Sequence, residues 1–309
     1  MTTPSISIIV PAYNEAESIG SVVQQIRNQY PTAEIIVIDD GSSDHTDQAA
    51  LSSGAKVYAH PYNIGNGAAV KSGIRVASGD ILVFMDGDGQ HDPTEINNML
   101  AFLPDYDMVV GARTQRGQAS IGRALGNRFY NWFASYVAKF RVEDLTSGFR
   151  AIKADLAKSF LYLLPNTYSY PTTLTLGVLR SGRSVKYVPI RAQARRKGKS
   201  KIRFFQDGAR FFMIIVKICT LYSPMRVFLP VSFLMFLLGV AWYAFTFITE
   251  GRFTNMSALL FTTAIVIFMM SLISEQVSQM RFERRGFERL RPILTSPEDT
   301  PPTKGKEQG

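Results

Sequence analysis

The sequence predicts an α/β fold with a mostly parallel sheet and helices on both faces, followed by an amphipathic interface helix and a two-helix transmembrane hairpin. Two observations lead to this prediction. Short runs rich in β-branched residues alternate with helical stretches up to about residue 190. Two long apolar stretches without charge follow towards the C-terminus. The chain is expected to divide into an α/β domain, a juxtamembrane helix, a hairpin and a tail, at 1–202, 203–222, 223–280 and 281–309.

Strands and helices alternate through the first unit. Strands are predicted at Ile6–Val10, Glu34–Asp39, Lys56–Ala59, Ile81–Asp86 and Asp107–Val110. Helices are predicted at Glu15–Gln29, Asp44–Ser52, Gly65–Ala77 and Pro93–Leu103. Because ligands of such sheets bind beyond the carboxyl ends of the strands, residues that carry chemistry are expected directly after each strand.

The hairpin is predicted from two uncharged stretches, 227–249 and 256–274, of 23 and 19 residues. At a rise of about 1.5 Å per residue, each can cross a hydrocarbon core about 30 Å thick. The link Glu250–Asn255 is too short to form a domain. Two buried helices of a soluble protein are the alternative, which uninterrupted apolarity over this length disfavours.

Lysine and arginine residues set the expected orientation of the hairpin. The link contains Arg252 as its one cation. Other cations flank the hairpin on both outer sides, at Arg203, Arg210, Lys217, Arg226, Arg281, Arg284, Arg285, Arg289 and Arg291. Such residues favour the cytoplasmic side, and the N-terminus shows no signal-peptide pattern. We therefore expect a multi-pass protein of the cell membrane with its α/β domain and both termini in the cytoplasm.

The segment 203–222 is predicted as an amphipathic helix lying in the membrane interface. Arg203, Arg210 and Lys217 recur every seven residues, and phenylalanine and isoleucine supply a broad apolar surface. An ordinary core helix with one wet face is the alternative. The tail at 281–309 is basic at first and then rich in Pro, Thr, Glu and Lys, which predicts disorder.

Composition narrows the class of ligand. Formal net charge is +9, which favours an anionic partner such as phosphate, nucleic acid or acidic lipid. The single cysteine, Cys219, excludes an internal disulfide, and the three histidines lack zinc-site spacing. The run Gly65-Asn66-Gly67 follows the third strand and lacks a third glycine, which disfavours a dinucleotide-dependent oxidoreductase. Acidic strand ends and the hairpin together disfavour nucleic acid as the partner.

Polar and mainly acidic groups follow three of the predicted strands. Asp86 and Asp88 come after an apolar strand, where two carboxylates can converge on a hard cation such as Mg²⁺ or Mn²⁺. Acidic residues of an ordinary turn are the alternative. Asp39 ends the second strand and is expected to meet a ligand, for example an N–H donor of a base. Asp44 is expected to act mainly as a helix cap.

Four segments carry a resemblance to a known family. They are Pro11-Ala12-Tyr13-Asn14-Glu15, Asp39-Asp40-Gly41-Ser42-x-Asp44, Asp86-Gly87-Asp88-Gly89-Gln90-His91-Asp92-Pro93 and Ser147-Gly148-Phe149-Arg150. In this order and spacing they resemble family 2 glycosyltransferases of the dolichol-phosphate mannose synthase and polyprenyl-phosphate glycosyltransferase type. The resemblance spans roughly residues 5–202 and implies a GT-A-like fold with a catalytic role for the domain at 1–202.

The resemblance also implies a nucleotide-sugar site. Its base pocket is matched by Pro11, Tyr13, Glu15, Val37 and Asp39. Its metal and diphosphate site is matched by Asp86, Asp88 and Gln90, with Gly87 where the family more often has alanine. Basic residues near the phosphates are matched by Arg113 and by Arg195 and Lys201 in a basic loop. Asp144 lies near the family's usual base position, and ordering Arg150 or the sugar is its alternative role.

The implied reaction is an inverting transfer of a single sugar, with Asp88, Arg113 and Asp144 as catalytic candidates. The donor is a nucleotide sugar, GDP-mannose or UDP-glucose, and the acceptor is polyprenyl phosphate at the cytoplasmic membrane face. Mg²⁺ or Mn²⁺ is the implied cofactor. The Gln-x-x-Arg-Trp motif of processive members is absent from the sequence, which argues against polysaccharide synthesis.

Two other functions stay open at this stage. A transferase acting on a hydroxyl acceptor would need Asp144 as base. A membrane-bound, non-catalytic nucleotide-sugar-binding protein would not need the acidic residues Asp86 and Asp88. Small residues in the hairpin, Gly239, Ala241 and Ala244, make a homo-oligomer possible.

Overall fold

The computed structural model describes residues 4–113, 131–132, 134–136, 139–166, 169–190, 216, 220 and 224–283. Two of the expected site residues, Arg195 and Lys201, lie outside this part of the chain. So do most of the predicted juxtamembrane helix at 203–222 and the tail from residue 284 onwards.

One sheet of seven strands organises the α/β domain, in the order β3-β2-β1-β4-β6-β5-β7. The strands are β1 Ile6–Ala12, β2 Glu34–Asp39, β3 Lys56–Ala59, β4 Ile81–Phe84, β5 Met108–Arg113, β6 Arg150–Lys153 and β7 Val185–Ile190. All pairings are parallel except those of β6, which runs antiparallel to both β4 and β5. The predicted, mostly parallel sheet is confirmed, and β6 and β7 are additions to the five predicted strands.

In the described part of the domain, helices cover both faces of the sheet. They are α1 Ala16–Gln29, α2 Thr46–Ser52, α3 Asn66–Val76, α4 Glu95–Leu100, α5 Ala154–Ser159 and α6 Tyr170–Arg180. Successive strand residues point to opposite faces, so Ile8 packs in the core with α1 and α4, whereas Ile9 packs in the core with α3 and α6. Each fully buried side chain of this size stabilises the fold by about 1.5–3 kcal/mol.

A helical hairpin follows, formed by α7 Pro224–Glu250 and α8 Asn255–Glu283. Both helices are long and apolar enough to cross a membrane. They pack on each other: the Ser232 hydroxyl donates to the Ala264 carbonyl, and Gly239 faces the Phe261 ring. Most of their other large apolar side chains are exposed, as is Ile248 at 83%. Because the rest of the described protein does not cover this surface, two buried helices of a soluble protein do not fit it.

Candidate active site

The carboxyl ends of β1, β2, β4 and β5 meet at one edge of the sheet, because these strands run in the same direction. The antiparallel strand β6 begins at that edge, since Arg150 pairs with Phe84 of β4 and Val110 of β5. The segment that precedes β6, residues 144–149, is thereby brought to the same edge. The expected site residues of the described chain therefore come from five strands or the loops beside them.

Asp39 and Asp40 at the end of β2 are both buried. The Oδ1 atom of Asp39 accepts hydrogen bonds from the backbone N–H and the hydroxyl of Ser42. Asp40 accepts the backbone N–H groups of Ile64 and Gly65 and lies 2.7 Å from Nδ1 of His60. Asp40 thus fastens the loop after β3 to the sheet, and Asp39 is the acid beside the expected base pocket.

The loop after β1 is joined to the loop after β2. Asn14, with a left-handed φ of 56°, accepts the Ser43 backbone N–H at 2.8 Å and donates its own N–H to the Ser42 hydroxyl. Asp44 accepts the first backbone N–H groups of α1 and α2, at Ala16 and Thr46. Burial opposes its charge, but these hydrogen bonds outweigh it and lower the pKa of Asp44. Asp44 is therefore a cap, as predicted, and serves two helices.

The remaining residues expected in the base pocket fall into two groups. Tyr13 and Glu15 are partly exposed, and the Ser18 hydroxyl lies 3.0 Å from the Glu15 carboxylate. Pro11 and Val37 are buried, and Val37 lies fully inside the core with α1. The Val37 side chain therefore supports the wall behind the pocket, and its expected contact with a base stays a prediction.

The acidic turn after β4 is held by its own backbone. The Asp88 carboxylate accepts the Gln90 backbone N–H at 3.1 Å, and Gly89 adopts a φ of 71° that favours glycine. The Gly87 carbonyl accepts the Ser18 hydroxyl of α1 at 2.9 Å. Among the residues that the structure describes, no three His, Cys, Asp or Glu side chains form a metal-binding group. A site built on Asp86, Asp88 and Gln90 therefore depends on two carboxylates and one amide.

Asp86 has a shaped surrounding that sequence reasoning did not find. A Cβ atom added to Gly148 would lie 3.0 Å from both carboxylate oxygens of Asp86, so no side chain fits there without displacing that carboxylate. His91 is buried, stacks on the Phe149 ring at 4.8 Å, and places Nε2 3.5 Å from Asp86. His91 and Gly148 both lie in segments that carry the family resemblance. Their shared position beside Asp86 depends on β6, which brings Gly148 and Phe149 next to the acidic turn.

Arg113 at the end of β5 forms a two-pronged ion pair with Asp144. Its Nε and Nη2 atoms donate to the two Asp144 oxygens at 2.9 and 3.2 Å, and Nη2 also donates to the Thr146 hydroxyl. Burial opposes the charge of Arg113, but Asp144, with a further contribution from Asp86, raises its pKa. The guanidinium is therefore a fixed positive charge within electrostatic reach of the acidic turn.

The Asp144 carboxylate is already occupied by donors. Besides Arg113 it accepts the backbone N–H groups of Thr146 and Ser147, each at 3.0 Å. Burial opposes its charge, yet the Arg113 guanidinium and these donors lower the pKa of Asp144. A carboxylate in this state accepts a proton less readily, which disfavours the role as base and favours a positioning role. Asp144 positions Arg113 and the turn before β6.

Arg150 is fully buried behind this pair. Its guanidinium donates to the carbonyls of Ser147 and Pro171 and to the Thr175 hydroxyl, which ties the segment before β6 to α6. The Tyr170 hydroxyl, in the first turn of α6, lies 3.4 Å from the Gly148 carbonyl. Arg150 thus holds the strand end that shapes the surroundings of Asp86. Asp144 and Arg150 direct these hydrogen bonds to other groups, and Asp144 acts on Arg150 through its charge.

A comparison with protein-family models and curated proteins shows the family to which the chain belongs. Residues 7–160 match the model described as glycosyl transferase family 2. A dolichyl-phosphate hexose transferase of Haloferax volcanii is 30% identical over 71% of this chain and 95% of its own length. The chain belongs to glycosyl transferase family 2. This family 2 glycosyltransferase also matches the GtrB C-terminal hairpin model over residues 223–280.

Another relative and a solved structure agree with this assignment. An undecaprenyl-phosphate mannosyltransferase of Micrococcus luteus is 28% identical over 63% of this chain and 86% of its own length. Glucosyl-3-phosphoglycerate synthase of Mycobacterium tuberculosis, solved with Mn²⁺ and uridine diphosphate, is 22% identical and covers 70% of this chain and 80% of its own, with a TM-score of 0.57. The structural likeness confirms the GT-A-like fold expected of the family 2 glycosyltransferase.

Proposed function

We propose that this chain transfers one sugar from a nucleotide sugar to polyprenyl phosphate, with inversion at the anomeric carbon. The observation that carries the proposal is the fixed Arg113 charge beside the Asp86 and Asp88 turn, in an α/β domain that an apolar hairpin follows along the chain. Relatives named as transferases or synthases on undecaprenyl, dodecaprenyl and dolichyl phosphate support this acceptor class.

The state of Asp144 favours a phosphate acceptor over a hydroxyl acceptor. A hydroxyl must lose its proton during attack and needs a base. Both Asp144 oxygens accept donors already. A lipid phosphate carries its charge near pH 7, so its oxygen attacks the anomeric carbon without a base, and the nucleoside diphosphate leaves from the opposite side. The positive charge of Arg113 stabilises the negative charge of the phosphate groups during this displacement.

The residues after β4 fit a hard divalent cation, Mg²⁺ or Mn²⁺. Asp86, Asp88 and Gln90 offer oxygen donors, and the missing side chain at Gly148 leaves space beside the Asp86 carboxylate. When bound, such a cation neutralises negative charge on the leaving diphosphate. Tyr13, Glu15 and Asp39 form the proposed base side of the site. Arg195 and Lys201, which lie outside the described residues, stay predicted ligands of the diphosphate.

The proposed place of reaction is the cytoplasmic face of the cell membrane, with both termini in the cytoplasm. The cation distribution around the hairpin supports this orientation. The sugar is proposed as mannose or glucose, from GDP-mannose or UDP-glucose. Assembly of several copies through the hairpin stays a prediction, and Gly239 contributes instead to packing against Phe261 of the same chain.

The test is lipid-linked product formation by the full chain in liposomes. Polyprenyl phosphate, Mg²⁺ or Mn²⁺ and one nucleotide sugar at a time are supplied, and mass spectrometry detects the glycosylated lipid phosphate. One donor is expected to give product that a chelator abolishes. Product only on a hydroxyl-bearing lipid would contradict the acceptor, and nucleotide-sugar binding without any product would favour a non-catalytic binding protein.

Asp88→Asn tests the acidic turn in the same assay. Turnover is expected to fall more than about 100-fold, since loss of groups at a metal site commonly costs that much. Asp92→Asn is the matched control, because its carboxylate accepts the Thr94 backbone N–H at the start of α4. Equal turnover of both variants would contradict the assignment of Asp88.

A further inference from the structure

A cleft of about 280 Å³ lies where the α/β domain meets the hairpin. We call it the junction cleft, and its polar lining comes from Tyr136, Arg180, Arg226 and Glu275. Arg180 ends α6, Arg226 lies in the first turn of α7, and Glu275 lies on α8. The junction cleft is thus built by both parts of the chain, and none of its lining residues belongs to the acidic turn.

Two arginines line this cleft, and one N–H group of Arg180 lacks an acceptor among the described residues. Arg226 donates to the Tyr136 carbonyl at 3.0 Å, and Glu275 accepts the Met225 backbone N–H at 3.2 Å. The Nε atom of Arg180 is buried and has no hydrogen-bond partner among the residues that the structure describes. Such an N–H group costs free energy unless a ligand or water accepts from it.

The charges of the junction cleft favour an anion. Burial lowers the pKa of Arg180, the positive charge of Arg226 lowers it further, and Glu275 acts in the opposite direction. Among the described lining residues, two guanidinium groups that repel each other lie beside one carboxylate, so these three side chains carry an excess of positive charge. An anion seated between them accepts the free N–H group and offsets the repulsion.

The position along the hairpin indicates which anion. Arg226 and Glu275 lie close to the two hairpin ends that join the α/β domain and the C-terminal tail, whereas Arg252 lies in the link at the far end. When the apolar helices span the hydrocarbon core, the junction cleft lies at headgroup depth. Basic pockets at this depth bind lipid phosphates.

The length of α6 separates this cleft from the reacting groups. Tyr170 at the start of α6 contacts the Gly148 carbonyl beside Asp86, and Arg180 is ten residues further along the helix. Ten residues of α-helix span about 15 Å. A reacting phosphate must approach its target carbon within about 3.5 Å. A phosphate held by Arg180 would thus lie at the far end of α6 from the Tyr170 end beside Asp86, which favours a site separate from that of the reacting phosphate.

We propose that the junction cleft binds the phosphate of an anionic phospholipid, with Arg180 and Arg226 as its ligands. A membrane phospholipid held there fixes the α/β domain against the bilayer through α6. This binding is independent of the proposed sugar transfer, because it uses none of the residues assigned to donor or acceptor.

The experiment measures phospholipid retention by the full chain without any sugar donor. Protein is released from nanodiscs containing equal amounts of phosphatidylglycerol and phosphatidylcholine, and native mass spectrometry counts the retained lipids. Wild type is expected to retain phosphatidylglycerol preferentially. Arg180→Gln is expected to reduce that preference about fivefold, the size expected for one cation near lipid phosphate. Arg252→Gln, the same charge change at the far end of the hairpin, is expected to leave it unchanged.

Glu275→Gln provides a second variant with the opposite expected sign. The amide oxygen can still accept the Met225 N–H, while the negative charge of the cleft is lost, so retention of phosphatidylglycerol is expected to rise. If circular dichroism shows that Arg180→Gln does not fold, the Glu275→Gln variant tests the proposal by itself. No rise in Glu275→Gln, or wild-type retention in folded Arg180→Gln, would overturn the proposal. Displacement of phosphatidylglycerol by equimolar polyprenyl phosphate would overturn it too, by assigning the cleft to the acceptor.

Discussion

The pairing of Arg113 with Asp144 makes the substitution Asp144→Asn a decisive perturbation. The carboxylate accepts from three donors of Arg113 and from the backbone of Thr146 and Ser147. An amide of the same shape keeps one acceptor oxygen and turns an NH₂ group towards donors. At least one buried donor then loses its partner. The variant is expected to loosen the Arg113 guanidinium without removing it.

The size of the effect on stability follows from burial. Breaking a fully buried pair costs about 3–5 kcal/mol. The Arg113 side chain is 38% exposed, and solvent screening reduces the loss in free energy of unfolding to about 2 kcal/mol. The pKa of Asp144 is lower in the folded state, so its stabilisation is present above about pH 4 and is lost as pH falls through the folded pKa. The difference between wild type and variant should therefore shrink in acid.

The kinetic assay separates a positioning residue from a base. A guanidinium displaced by about 1 Å commonly costs about 100-fold in rate. We expect Asp144→Asn to lose about that factor in kcat, with the pH profile of kcat/KM keeping its wild-type shape. Combining it with Arg113→Gln should cost little more than Arg113→Gln alone, because both variants break one interaction. An acidic limb that disappears in Asp144→Asn, or full additivity with Arg113→Gln, would refute this reasoning.

Two further predictions concern the surroundings of Asp86 and the opposite edge of the sheet. Gly148→Ala should lower turnover by about 10–100-fold in a folded protein, because its Cβ would lie 3.0 Å from the Asp86 oxygens. Gly87→Ala is its control and should change turnover less than about threefold, since its Cβ would meet the Ile19 side chain and the Pro11 carbonyl oxygen at 3.3 Å and no Asp86 oxygen; equal losses in both would contradict the assignment. Burial opposes the charge of Glu34, but Lys56, Ser7 and Ser78 outweigh it and lower its pKa to about 2. Its stabilisation is present above about pH 4.5 and is lost as pH falls through about 2, so Glu34→Gln should lower the urea midpoint at pH 7 and match wild type near pH 2.

Several parts of this protein could be predicted from local patterns. The alternation of apolar strands and amphipathic helices is a local property, so β1 to β5 and α1 to α4 were expected at nearly their observed positions. The hairpin was expected for the same reason, because length and apolarity decide it. Asp44 was expected as a cap from its place directly before a helix. Short strands with few apolar residues, such as β6 with the sequence RAIK, escaped this reasoning.

The roles of single site residues depended on contacts between distant segments. Strand β6 enters antiparallel between β4 and β5, and only this pairing brings Gly148 to Asp86 and Asp144 to Arg113. Asp144 matched the family's base position in the sequence, with an ordering role as the alternative, and only the fold shows that Arg113 and backbone donors occupy its oxygens. Val37 matched the base pocket, and only the fold shows that its side chain is buried in the core.

The sequence alone therefore determined the layers of the fold, the family and the acidic strand ends, because these follow from periodicity and from short motifs. The tertiary structure decided which side chains contact each other. A pKa, an ion pair or a shaped space beside a carboxylate depends on groups that are distant along the chain, such as Arg113 and Asp144 or Arg180 and Glu275. Their proximity is a property of strand order and helix packing, which local sequence patterns do not contain.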